Sequence, residues 1–158
     1  MVKDSGMDRT LPEDIDKAID RTKLAQVARR FKLDLIVLFG SHARGEARPD
    51  SDVDIAVRTL ARREQRGDRW EGRLISAVEE VLGREVDFVL VDRASPFLLT
   101  EIAEDGIPVF ESEPGVFAEF TWYAHRRDLD EFKIQLWERA YVYDDDTELL
   151  RWLGARTA

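Results

Sequence analysis

Asp52 and Asp54 flank a single residue at the start of the run DVDIAVR. On an extended strand, residues two apart face the same way, so both carboxylates project from one face while Val53, Ile55 and Val57 point into apolar packing. Side by side the carboxylates repel, an arrangement that is costly until a cation neutralises it. Hard oxygen ligands on a rigid strand suit Mg²⁺, which completes its shell with water and substrate phosphates. Upstream, the apolar run LDLIVLFG ends at Gly40-Ser41 and the chain turns into a short helix. Gly40 permits close backbone approach, and free N–H groups with the Ser41 hydroxyl can hold a phosphate. Arg44 offers those phosphates a charged donor. Asp87, near the entry to the otherwise apolar run REVDFVLVD, is the best third acid for a two-metal site, because an unpaired carboxylate there would be expensive.

Two common motifs fail on the same stretch. Gly40 and Gly45 have Walker A spacing, but Glu46 and Ala47 follow where Lys and Ser/Thr are needed. Asp50, Asp52 and Asp54 imitate the opening of an EF-hand, yet Ile55 and Ala61 stand where the loop needs Gly and Glu. Plainer roles compete with the chemical ones. Asp87 can pair with Arg84, and Arg44 and Arg48 can simply balance the acids. His42 is either a solvent-facing turn residue or a substrate contact; His125, beside Arg126 and Arg127, belongs on a helix surface.

The elements that must position these residues follow from periodicity. A first helix is predicted from Pro12 to Phe31, then a buried strand ending at Gly40 and a second strand from Asp52 to Arg58. A second helix covers Glu64 to Leu82 and stops at Gly83. The third strand, Arg84 to Asp92, is apolar on both faces and is expected to be central. A short helix from Ser95 or Pro96 to Glu104, a strand from Ile107 to Phe110, a long helix from Val116 to Tyr143 and a last helical segment from Thr147 to Leu153 complete the order. The long helix carries Phe117, Phe120, Ala124, Phe132, Leu136, Trp137 and Ala140 on an apolar side expected to be core, and Asp144-Asp145-Asp146 breaks it. The fold class is α/β (α+β), a small mixed sheet backed by helices. The expected organisation is a loose tail over 1–11, a core over 12–111 and a helical extension over 112–158.

Composition narrows the chemistry. The 158 residues carry Lys+Arg 24 against Asp+Glu 33, a formal net charge of −9, with 44% hydrophobic residues. That balance describes a folded, soluble domain and disfavours wholesale binding to nucleic acid or an anionic membrane. No Cys means no disulfide, no Cys zinc site and no thiol nucleophile, and two His are too few for most His-based metal sites. No apolar run approaches membrane-spanning length and the start lacks a signal-peptide core, so the expected location is cytoplasmic.

At Gly40, Ser41, Gly45, Ser51, Asp52 and Asp54 the chain resembles the nucleotidyltransferase superfamily typified by DNA polymerase β, in particular the minimal nucleotidyltransferases of bacteria and archaea. Ala43-Arg44 precedes the spaced Gly as in that family, and Asp87 in VDFVLVD matches its third carboxylate. The resemblance covers about residues 12–111, including PFLLTEIAEDGIPVFE. It implies a polymerase β palm-like fold and transfer of NMP from a Mg-bound NTP to an acceptor hydroxyl. Asp52, Asp54 and Asp87 would hold the metals, two Mg²⁺ with ATP as substrate, and Asp87 would help activate the hydroxyl. Gly40, Ser41, Arg44, Gly45 and Ser51 would bind the nucleotide. Small solitary members resemble the antitoxins of HEPN/MNT toxin–antitoxin pairs, which add AMP to a tyrosine of a HEPN ribonuclease toxin. The expected partner is therefore a cognate HEPN toxin, in a hetero-oligomer. The alternatives are an antitoxin that neutralises by contact alone and a small-molecule nucleotidyltransferase acting on antibiotics.

Overall fold

The protein, described by a computed structural model over residues 10–142, is built on four strands. Leu33–Phe39 forms β1, Val53–Thr59 β2, Val86–Leu90 β3 and Ile107–Glu111 β4. They lie in the order β3-β2-β1-β4, with β1 antiparallel to β2 and β4, and β2 parallel to β3. This is the expected mixed sheet.

Both faces of β1 are covered, which is why its sequence is almost uninterruptedly apolar. On one face, Ile36 and Leu38 with Val53, Ile55 and Val57 meet Leu24, Ala28 and Phe31 of the helix Arg21–Phe31 and Leu74, Val78 and Leu82 of the helix Trp70–Leu82. On the other face, Leu35, Val37 and Ala56 meet Leu99, Ile102 and Ala103 of the helix Pro96–Asp105 and Phe117, Phe120 and Ala124 of the helix Val116–Val142. Each fully buried Leu or Phe side chain contributes about 1.5–3 kcal/mol, so these layers fix the sheet on which the acids stand. With Glu13–Ala18 as α1 and Gly40–Ala43 as α3, these four helices are α2, α4, α5 and α6 in chain order.

The one polar residue of β1, Asp34, is 5% exposed. Arg58 on β2 holds it, with Nε 3.1 Å from both carboxylate oxygens and a terminal nitrogen 2.8 Å from Oδ2. Arg58 also reaches Glu119 of α6 at 3.4 Å, tying that helix to the sheet.

Three expectations need correction. The helix predicted from Pro12 to Phe31 is two: Ile19 is extended, and the Asp20 side chain accepts from the N–H groups of Thr22 and Lys23, capping a fresh start. The helix predicted from Glu64 begins at Trp70, after a 3₁₀ turn over Arg63–Gln65 and a break at Gly67-Asp68. The third strand is an edge strand. Val86 and Phe88 pack into one core and Val89 into the other, so its apolar run reports two partly covered faces rather than two neighbouring strands.

Gly83 ends α4 as predicted, in the left-handed region at φ 65°. The apolar side of α6 is core for Phe117, Phe120 and Ala124, whereas Phe132 is 58% exposed. From His125 to Gln135 every residue of α6 is exposed. The side chains expected from Leu136, Trp137 and Ala140, the acidic break at 144–146 and the segment 147–153 lie outside the described residues.

Candidate active site

Asp54 is the second residue of β2, and the register of the parallel pair sets it directly beside Asp87 on β3. Neighbouring residues in such a pair face the same way, so the two carboxylates share the sheet face that carries α5. Asp54 is half-buried and Asp87 exposed. Asp52 is exposed too and stands just ahead of β2, which begins at Val53, so the expected strand alternation does not set it on Asp54's face. The salt bridge that would have accounted for Asp87 structurally is not formed: Arg84 pairs with Asp14 at 3.3 Å.

The turn after β1 is shaped around Asp54. Gly40 has φ 67°, and a Cβ there would lie 2.2 Å from Asp54 Oδ2 and 2.7 Å from its Cγ. No other residue type lets the backbone come so close in this conformation. The Ser41 backbone N–H favours the ionised form of the Asp54 carboxyl. Burial is the main cause that raises the Asp54 carboxyl above its ordinary value, and the Asp87 charge raises it further. His42, the Ser41 N–H and Arg44 oppose that rise without cancelling it.

His42 corrects the solvent-facing reading. It is 3% exposed, and its Nε2 lies 3.2 Å from the Ser51 carbonyl oxygen, fastening the turn after β1 to the residue just before Asp52. Ser51 locks the same loop from the other side, its hydroxyl accepting from the Arg48 N–H at 2.9 Å. Gly45, exposed with φ 71°, lets the chain leave α3. Sequence reasoning had no signal for a buried His42, because a His in a polar turn looks like any other solvated one.

Arg44 sits at the rim. Its guanidinium contacts Glu46 at 3.0 Å and, on α5, Asp105 at 3.2 Å and Glu101 at 3.5 Å. The hydrogen bond to Glu46, then that to Asp105, raises its pKa, so the side chain is a fixed positive charge. A phosphate at Arg44 would compete with three acids, two of which anchor the loop to α5.

The acids fit a divalent cation. Two carboxylates forced together, one of them already reluctant to ionise, gain most from a positive charge between them. Among the described residues, no three Asp, Glu, His or Cys side chains close into a ready metal cage. The three acids expected to share the metal are thus not gathered into one cluster; a Mg²⁺ held by one or two carboxylates takes its remaining ligands from water and substrate phosphates.

Comparison with known proteins gives the geometry its context. A family model described as polymerase beta, nucleotidyltransferase matches residues 22–114. A Methanocaldococcus jannaschii protein, named as a candidate protein adenylyltransferase, is 35% identical over 81 residues, which are 51% of this chain and 80% of that protein. A chain in the crystal structure of a toxin–antitoxin with AMP-PNP superposes with a TM-score of 0.55 at 26% identity, over 80% of this chain and 98% of that one. A chain from a mutant of the toxin–antitoxin MntA-HpeT gives 0.51 at 25% identity, over 80% and 97%.

Proposed function

This chain belongs to the polymerase beta nucleotidyltransferase family, and from that premise we propose that it is a Mg²⁺-dependent protein adenylyltransferase and the antitoxin of a toxin–antitoxin pair. It transfers AMP from ATP to a tyrosine hydroxyl of a cognate HEPN toxin. The observation that carries the reading is the register pairing of Asp54 with Asp87 behind a glycine that only Asp54's carboxylate explains.

In this reading Asp52, Asp54 and Asp87 hold the metal. When bound, Mg²⁺ supplies charge neutralisation for the phosphates and for the attacking and leaving oxygens. The residues of the chain do the rest. The Ser41 hydroxyl and the glycine-bearing turn receive the phosphates, with Gly45 and Ser51 holding the loop's shape. Arg44 adds positive charge at the rim. Asp87, exposed on the edge strand, would take the proton of the incoming tyrosine hydroxyl. The tyrosine oxygen then bonds to the α-phosphorus as the bond from that phosphorus to the pyrophosphate oxygen breaks. Positioning and electrostatics carry most of such a reaction.

Support comes from the protein adenylyltransferase name of the M. jannaschii relative and from the toxin–antitoxin structures, one of them with AMP-PNP. The test is co-expression with a cognate HEPN toxin. The wild type should restore growth and leave the toxin carrying AMP on tyrosine. Asp52→Ala/Asp54→Ala should do neither. Protection by the double variant, with no AMP on the toxin, would replace catalysis with neutralisation by contact.

A further inference from the structure

At the end of the sheet opposite the carboxylates, a cavity of about 650 Å³ opens between the end of α2 and the start of α4. Phe31, in its wall, precedes β1, and Gln65 follows β2, whereas Gly40 and Asp54 mark the other ends of those strands. From Asp54 to Thr59, β2 runs about 17 Å at roughly 3.3 Å per residue, so this cavity is separate from the catalytic face.

Three arginines line it, Arg30, Arg69 and Arg73, and the Arg30 guanidinium lies over the Phe31 ring, 5.4 Å from its centroid. All three residues are exposed, and among the described residues none has an acidic partner. In a chain of net charge −9 such a group is unusual. Arg30 lies at the C-terminal end of α2, where a cation suits the helix dipole. Arg69 and Arg73 do not have that explanation. Arg69 is the N-cap of α4, with no side-chain cap bond, and Arg73 follows in the first turn, the end where positive charge is unfavourable. The acid of that turn, Glu71, is engaged by Arg93 at 2.9 Å. Two cations held at the positive end of a helix are what an anionic ligand would stabilise.

The wall behind them is aromatic. Phe31 and Trp70 meet edge to face, with centroids 5.8 Å apart. Arg66 fixes Trp70 from outside the cavity: its guanidinium lies 5.4 Å from the Trp70 ring centroid while pairing with Asp92 at 2.8 Å and the Ala61 carbonyl at 3.0 Å. Gln65, whose Oε1 accepts from the Arg62 N–H at 3.2 Å, and the acid Asp68 complete the lining. A concave site of this size is in the range that encloses a small organic ligand. Arginine forks match phosphate oxygens, and the partly exposed Trp70 ring offers an apolar surface that a glutamate or aspartate side chain would not use.

We propose that this cavity is a second ligand site, distant from the carboxylates, that takes a nucleoside phosphate. The phosphate lies on Arg69 and Arg73, with Arg30 facing it, and the base lies against Trp70. The site stands whether or not the carboxylates transfer nucleotides.

The test uses the full chain and follows the Trp70 indole N–H by NMR, its signal assigned with Trp70→Phe. Titration with AMP in the presence of a metal chelator should shift that signal saturably. The shift should be the same in wild type and in Asp52→Ala/Asp54→Ala, which disables the other site. Adenosine should produce no comparable shift. Arg69→Gln/Arg73→Gln should weaken AMP at least about tenfold while circular dichroism and melting stay as in the wild type. The proposal is overturned by an unmoved Trp70 signal, by equal affinity in the arginine variant, or by a Glu-rich peptide binding there more tightly than AMP.

Discussion

Replacing Asp87 with Asn should make the ligand-free protein more stable, because it removes a charge that the fold presses against Asp54. Adjacent strands lie about 4.8 Å apart. At that distance two unit charges repel by about 0.9 kcal/mol in a water-like dielectric and about 3.5 kcal/mol at an effective value near 20. Asp87 is exposed and Asp54 half-buried, so the water end of the range applies, and salt trims it further. About 1 kcal/mol is expected, which for a chain of this size moves Tm by about 2–4 °C. The pH dependence follows from the sign of the shift. Burial, and then Asp87, raise the Asp54 carboxyl in the folded protein. The penalty is therefore absent below about pH 4, where unfolded Asp also holds its proton, and grows as the pH rises through the raised value. Thermal melts of both proteins in chelator, across an acid-to-neutral series, read this directly. Added Mg²⁺ should then raise the wild-type Tm more than the variant's. A variant less stable than wild type at neutral pH, or an advantage that persists unchanged in acid, would refute the reasoning.

Gly40→Ala forces a left-handed residue, costing about 1–2 kcal/mol, and drives Asp54 out of place, because the new Cβ would sit 2.2 Å from Oδ2. Nucleotidyl transfer should fall by about 100-fold or more, while circular dichroism still reports a folded chain. His42→Ala removes the contact to the Ser51 carbonyl and leaves a buried gap. Chemical denaturation should show a loss of about 1–3 kcal/mol. Arg58→Met strands the buried Asp34 carboxylate and should cost about 3–5 kcal/mol, much of it recovered in Asp34→Asn/Arg58→Met.

The acids and the glycine turn were legible in the sequence because their chemistry is local. Two carboxylates two residues apart after Gly-Ser can be read without knowing what packs around them. What surrounds them could not be read in the same way. His42 became buried through α3 folding back on the sheet, a tertiary event that hydropathy does not record. The break at Ile19 hides inside a continuous helical period, because a capping Asp20 costs the pattern nothing. β3 resembles a central strand for a similar reason: apolar residues report covered faces and are silent about how many neighbours a strand pairs with. Asp34 is buried with Arg58 as its partner across the strand pair, a contact that the apolar run LDLIVLF does not record. Arg69 and Arg73 at the start of α4 meet Arg30 only in the fold, because some forty residues of chain separate them.

The central claim, that Asp52, Asp54 and Asp87 carry out nucleotidyl transfer to a protein, is tested most directly by following two labels. The cognate toxin is incubated with this protein, Mg²⁺ and ATP labelled either at the α- or at the γ-phosphate. The account predicts that the α label enters the toxin and that the γ label leaves as pyrophosphate. Asp52→Ala/Asp54→Ala should transfer neither. Incorporation of the γ label, or of the α label at equal rates with wild type and double variant, would contradict it.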